Sequence, residues 1–271
     1  MERRVAFITG ASRGIGKATA VALAEKGYDV VVTARTVKEG ETSDGRPLPG
    51  SIETTAYEIR ERGREALPLR LDLLDGASID DAVAETFRRW GHIDVLVNNG
   101  IYTGLGSMDR FLDLDLAVVE TMFQANVFAQ IHLTQKLLPG MLERGSGAVI
   151  NMVSAAGLND PPAAAGKGGW GFAYAATKAA FHRMVGVLAV EHASRGVQFF
   201  NVEPGFVITE AMKLNDPEGE LSKRFPGAPP TVPASVIAWL CSDPGAVEWN
   251  GKTVFAQKLC LQLGLHPDWR R

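Results

Sequence analysis

Tyr174-Ala-Ala-Thr-Lys178 sets a phenol and an ammonium four residues apart. On a helix, positions i and i+4 project from one face, so the two groups can share a site. A free tyrosine loses its proton near pH ~10, too high for efficient proton exchange at neutral pH. An adjacent ammonium favours the phenolate, so the pair is expected to bring that value down. Tyr174 alone among the four tyrosines has a lysine at the fourth following position. Ser154 follows the apolar run Ala148–Val153, which reads as a strand. At such a strand end its hydroxyl could donate to a carbonyl oxygen and stabilise a developing alkoxide. Asn126 lies in a long apolar stretch, between Ala125 and Val127. Buried in a helix, its amide needs partners, and it is expected to organise water or backbone near Lys178. A solvent-facing amide is the alternative reading.

A second set of residues suits a phosphorylated ligand. Thr9-Gly10-Ala11-Ser12-Arg13-Gly14-Ile15-Gly16 joins a short apolar run to a helix-like segment. A glycine-rich turn there lets backbone approach a pyrophosphate, and the helix N-terminus offers it free N–H groups and a positive dipole end. The spacing is G-x-x-x-G-x-G, and an ordinary tight turn is the alternative. Arg35 ends the second apolar run, where sites for NAD tend to carry an acidic residue. An arginine suits a 2′-phosphate instead, and Arg13 could pair with the same group. NADP(H) is therefore expected in preference to NAD(H), although a solvated Arg35 is the alternative. Asp72 could accept from the adenine amine, and Asn98-Asn99-Gly100 could support the sheet edge and the cofactor ribose. The positive nicotinamide of an oxidised dinucleotide would add to the pull on the Tyr174 phenol.

These residues need a frame to hold them. Strand-like runs occur at Val5–Thr9, Asp29–Ala34, Ala66–Leu71, Val95–Asn98, Ala148–Val153, Gln198–Val202 and Thr253–Ala256. Helical spacing appears at Gly16–Lys26, Ile79–Trp90, Leu116–Leu138 and Tyr174–Arg195. Such alternation predicts an α/β fold: a doubly wound parallel sheet in a three-layer α/β/α sandwich. No linker divides residues 1–271, so one domain is expected. Three polar, Gly- or Pro-rich segments interrupt the rhythm, at Val37–Ser51, Ala155–Ala173 and Leu214–Pro233. Long loops in compact domains are often functional, and substrate loops are expected near 155–173 and 206–233.

Composition narrows the classes further. The chain carries 28 basic and 31 acidic side chains, a formal charge of −3. That balance offers no electrostatic footprint for nucleic acid or an anionic membrane. No signal-like or membrane-spanning run is apparent, and a cytoplasmic address is expected. Cys241 and Cys260 stand far apart and the five histidines are scattered, so no metal site is expected.

Taken in order, the motifs resemble those of the short-chain dehydrogenase/reductase family over nearly the whole chain. They are Thr9-Gly10-(x)3-Gly14-x-Gly16, Asp72, Asn98-Asn99-Gly100, Asn126, Ser154, Tyr174, Lys178 and Pro204-Gly205-(x)3-Thr209. The resemblance implies a Rossmann-like fold and a Ser154–Tyr174–Lys178 mechanism, with Asn126 holding a proton-relay water. It implies that Lys178 also binds the nicotinamide ribose, that Val207 and Thr209 contact the carboxamide, and that the protein is a homodimer or homotetramer. Cofactor contacts are expected from Gly10, Ser12, Arg13, Gly14, Ile15, Gly16, Arg35, Asp72, Leu73, Asn98, Asn99, Gly100, Tyr174, Lys178, Pro204, Gly205, Val207 and Thr209.

The chain departs from the family pattern in three places. Most members read Asn-Asn-Ala-Gly where Asn98-Asn99-Gly100-Ile101 stands. The Ser154–Tyr174 interval is longer than usual, an insertion expected to shape the pocket. The usual Gly-rich tail is replaced by Ala256-Gln257-Lys258-Leu259-Cys260 and, further on, Leu265-His266-Pro267-Asp268-Trp269. The expected reaction interconverts a ketone or aldehyde and an alcohol by NADP(H)-dependent hydride transfer on a small molecule, with Tyr174 as acid/base. A non-catalytic dinucleotide-sensing module and a lyase or epimerase of the same family are the alternatives. Ile101, Trp170, Phe172, Phe206 and Met212 are candidate pocket walls, each with ordinary core packing as its other reading. Lys167 could meet an anionic substrate or be solvated.

Overall fold

The computed structural model describes residues 3–41, 48–192, 194–215, 219, 223 and 227–269. Seven strands form one sheet in the order β3-β2-β1-β4-β5-β6-β7, and every neighbouring pair is parallel. They are β1 Arg4–Thr9, β2 Tyr28–Ala34, β3 Ala66–Arg70, β4 Val95–Asn98, β5 Gly147–Met152, β6 Val197–Glu203 and β7 Thr253–Phe255. The helices are α1 Gly14–Glu25, α2 Ile52–Arg60, α3 Gly76–Trp90, α4 Leu116–Phe123, α5 Ala129–Arg144, α6 Phe172–His192, α7 Glu210–Asn215, α8 Thr231–Leu240 and α9 Ala256–Leu263.

Strand periodicity divides the core in two. Ala6 and Ile8 of β1 face one layer with Val30, Val32, Ile150 and Val202, against Leu23 of α1 and Val236 and Ile237 of α8. Val5 and Phe7 face the other layer with Val31, Leu96, Val149 and Phe199, against Ile79 of α3, Leu133 and Leu137 of α5 and Val185 of α6. Each large apolar side chain so enclosed contributes about 1.5–3 kcal/mol of transfer free energy. All seven expected strands form, with ends shifted by at most one residue; Ala256 starts α9 instead of ending β7.

Other segments differ more. The stretch expected as a helix over Leu116–Leu138 is α4, a π turn at Gln124–Phe128, then α5, which runs to Arg144 past Pro139. Helix α2 follows directly on the polar Val37–Ser51 segment, capped by Ser51 Oγ accepting from Thr54 N at 3.0 Å; residues 42–47 of that segment lie outside the described residues. Helix α8 claims Thr231–Pro233 at the end of the Leu214–Pro233 segment, because proline is tolerated in a first helical turn. Residues 216–218, 220–222 and 224–226 of that segment lie outside the described residues. Among the described residues no helix is long and apolar enough to cross a membrane.

Candidate active site

Strand order reverses between β1 and β4, and ligands of open α/β sheets bind at the carboxyl ends beside such a point. A cavity of about 670 Å³ opens there. Gly10, Ser12, Arg13, Gly14, Ile15 and Gly16 line it from the β1–α1 turn, Arg35 from the end of β2, Asp72 and Leu73 from the end of β3, and Asn99 and Gly100 from the end of β4. Thr209 enters from the loop after β6, and Glu210 and Ala211 from the start of α7. The turn is shaped by close approach: a Cβ on Gly16 would stand 2.2 Å from Gly10 O and 2.5 Å from Asn99 Nδ2. Asn99 in turn donates from Nδ2 to Thr9 O (2.9 Å) and Gly10 O (3.2 Å), while Thr9 Oγ1 accepts from the N–H groups of Asn99 and Gly100. Residue 16 must therefore be glycine for the turn to pack this closely, and the turn so shaped brings Gly10, Ser12, Gly14 and the start of α1 to the cavity, a cradle suited to a phosphate diester.

Several expected contacts take a different form. Arg13 donates to the carbonyls of Pro49 (2.9 Å), Gly50 (2.9 Å) and Leu48 (3.4 Å) and to Thr36 Oγ1 (3.4 Å), so its guanidinium braces the loop after β2 while lining the cavity. Asp72 Oδ1 accepts from Leu74 N at 3.0 Å. The Asn98 carboxamide is 1% exposed and donates to Thr134 Oγ1 (3.1 Å) and Asn151 Oδ1 (3.0 Å). It braces the sheet and does not line the cavity, because alternate strand residues point to opposite faces. Tyr174, Lys178, Pro204, Gly205 and Val207 also lie off the cavity lining, and of the five candidate pocket walls only Ile101 is on it. Lys167 is exposed. Glu210 was not anticipated, nor were Glu41 and Leu48, which line the cavity from the loop after β2.

Ser154, Tyr174 and Lys178 meet at the carboxyl end of β5. Ser154 caps a short 3-10 turn, Ala155–Gly157, its Oγ accepting from Ala156 N at 3.2 Å. Tyr174 and Lys178 sit one turn apart near the start of α6, and Lys178 Nζ donates to Met152 O at 2.7 Å. Lys178 is 7% exposed, and burial lowers its pKa from 10.5 to about 8. The Tyr174 phenol is moved the other way from the sequence expectation. Burial raises it above 10, the Ser154 hydroxyl opposes that rise, and the Glu203 carboxylate adds to it. Glu203, 8% exposed, is itself raised by burial, against hydrogen bonds from the backbones of Gly205 and Ala155.

Asn126 stands in the π turn between α4 and α5. Its Oδ1 accepts from Tyr102 N (2.7 Å) and its Nδ2 donates to Tyr102 O (3.2 Å). The side chain is thereby tied to the backbone of the cavity-lining strip Ile101–Leu105, and the π turn that carries it packs against α6, the helix of Lys178. π turns recur at functional positions because their wider register frees backbone groups.

The sequence profile of the short chain dehydrogenase family matches residues 4–219. The chain is 30% identical over 243 residues to a 3-oxoacyl-[acyl-carrier-protein] reductase of Staphylococcus epidermidis, an overlap of 88% of this chain and 91% of that protein. It is 32% identical over 254 residues to a 3-oxoacyl-[acyl-carrier-protein] reductase of Synechocystis sp., covering 92% and 94%. Among solved structures, the actinorhodin polyketide ketoreductase with NADPH superposes with a TM-score of 0.78 at 27% identity, covering 93% of this chain and 95% of that one.

Proposed function

The chain belongs to the short-chain dehydrogenase family of oxidoreductases, and from that premise we propose that it interconverts a ketone or aldehyde and an alcohol using NADP(H). The observation that carries this reading is the meeting of Ser154, Tyr174 and Lys178 at the end of β5, next in the sheet to the cradle-forming end of β4. The glycine cradle, Asp72 and Arg35 would hold the dinucleotide, with Thr209 beside Gly14. When bound, the reduced nicotinamide supplies the hydride. Tyr174 gives its phenolic proton to the carbonyl oxygen, and its raised pKa keeps that proton in place at neutral pH. Ser154 donates a hydrogen bond to the same oxygen and stabilises the charge that develops on it. Lys178 supplies a positive charge on the adjacent turn, and Asn126 fixes the Tyr102 backbone at the cavity wall.

The single domain spans residues 1–271 in this reading, with segments 155–173 and 206–233 framing a small-molecule substrate and the protein forming a homodimer or homotetramer. Two relatives are named for reducing 3-oxoacyl groups and the ketoreductase structure contains NADPH, which supports a ketone and NADP(H) as the first choices. NADPH oxidation followed at 340 nm over a panel of 3-oxoacyl thioesters, simple ketones and aldehydes tests the proposal. Turnover that Tyr174→Phe removes by about 10²–10⁴-fold, with dinucleotide affinity kept, is expected. Equal turnover in the variant would overturn it.

A further inference from the structure

The C-terminal tail, one of the places where this chain departs from the family pattern, reaches the loop after β6. Gln257, the second residue of α9, donates from Nε2 to Pro204 O (3.0 Å) and to Phe206 O (2.9 Å). Between those carbonyls lies Gly205 at φ +72°, and a Cβ there would stand 2.3 Å from Gln257 Nε2. The glycine therefore serves two ends: it takes a left-handed backbone and leaves the space that the carboxamide fills. The Gly205 N–H donates to Glu203 Oε1 at 3.1 Å. Three polar backbone atoms in three consecutive residues are so held by side chains. The tail is secured in turn, since Trp269 Nε1 donates to Gln257 O at 3.2 Å. Further along, Ile208 N donates to Ala228 O and Ala228 N to Phe206 O, carrying the constraint to Val207 and Thr209.

We propose that Gln257 is a positioning residue that holds the Pro204–Phe206 turn, and through it Val207 and Thr209, in place for the nicotinamide half of the dinucleotide. This rests on the dinucleotide reading above. A turn ordered beforehand spares the entropy that a loose one loses when it closes on its ligand. The dependence is expected on the nicotinamide half, because the hydrogen bonds of the Gln257 side chain go to Pro204 and Phe206 and not to the β1–α1 turn.

Calorimetric titration of NADPH and of 2′-phospho-ADP-ribose, which lacks the nicotinamide, separates the possibilities. Wild type is expected to bind NADPH more tightly than the fragment. Gln257→Ala should weaken NADPH about tenfold, the scale of two lost hydrogen bonds, and leave the fragment unchanged. Gln257→Glu keeps the shape but cannot donate, and should show the same selective loss if the alanine variant folds poorly. Retained NADPH affinity in both variants would overturn the role of Gln257, as would equal losses for both ligands. Wild type binding the two ligands equally would remove the nicotinamide assignment itself, and the proposal with it.

Discussion

The Glu210 carboxylate accepts a hydrogen bond from the Gly14 backbone N–H at 3.0 Å. Arg13, the residue before α1, makes no side-chain cap, so a group 196 positions away in sequence supplies one. An anion at a helix N-terminus is stabilised by the free N–H groups and the dipole. A dinucleotide pyrophosphate would seek the same end of α1, and the two negative groups would compete. Glu210→Gln keeps an acceptor and removes the charge. It should tighten NADPH about two- to fivefold at low ionic strength, with the gain shrinking as salt is added. Titrations at two salt concentrations check this; an unchanged Kd would mean that the carboxylate does not oppose the ligand.

Gly16→Ala should abolish measurable dinucleotide binding and destabilise the fold by about 1–3 kcal/mol. Its methyl would lie 2.2 Å from Gly10 O, a backbone atom that cannot rotate away. Binding titration together with a chemical denaturation curve measures both effects, and near-wild-type values in each would contradict the cradle geometry.

The raised Tyr174 pKa sets the pH behaviour. Reduction needs the phenol, which stays protonated through neutral pH, so the rate of carbonyl reduction should be flat there. Alcohol oxidation needs the phenolate and should rise with pH through the alkaline range. Glu203→Gln removes a charge that raises the phenol and should move the oxidation profile to lower pH. Profiles of kcat/KM in both directions are the check; a shift to higher pH would reverse the assigned sign.

Lys178 reports on the fold through linkage. Its folded pKa of about 8 lies below the unfolded 10.5, so the unfolded chain binds more protons between those values. Stability from this group is lowest below pH 8 and rises as pH climbs toward 10.5, by at most about 3 kcal/mol. Lys178→Met should lack that rise while losing turnover. Urea denaturation of both proteins at several alkaline pH values would detect it, and parallel stability curves would contradict the buried ammonium.

Arg35 and Arg13 should separate in their effects. Arg35 lines the cavity from the end of β2, whereas Arg13 is engaged with three carbonyls of the loop after β2. Arg35→Ala should lower the NADPH/NADH ratio of kcat/KM by about 10-fold or more, the scale of one charge-assisted hydrogen bond. Arg13→Ala should weaken both cofactors by loosening Leu48–Gly50. If Arg35→Ala leaves the ratio untouched, the preference comes from elsewhere.

Strands, helices and the cradle were legible because their signals are local. Short continuous apolar runs declare a strand where both faces of the sheet are covered, and a glycine turn at the first strand–helix junction needs only its neighbours to be recognised. Lys178 following Tyr174 by four positions belongs to the same kind of signal. The Leu116–Leu138 periodicity announced a helix correctly but not its π turn, since a one-residue change of register leaves the apolar pattern almost intact. Helix α2 and the first turn of α8 were obscured by the polar and proline-rich segments that lead into them.

What the sequence by itself determined is therefore the parallel α/β sheet, the order of its motifs and the set of side chains available for chemistry. Tertiary structure alone decided what each of those side chains does with its polar atoms. It turned Asn98 to Thr134 and Asn151, gave Asn126 to the Tyr102 backbone, and set Arg13 against the loop after β2. It also brought Glu210 to Gly14 and Gln257 to both sides of Gly205. Those pairings join residues far apart in the chain, and burial moved the Tyr174 phenol upward when spacing to a lysine had suggested the reverse. Desolvation and hydrogen-bond partners depend on which surfaces fold against one another, and no local pattern of residues carries that information.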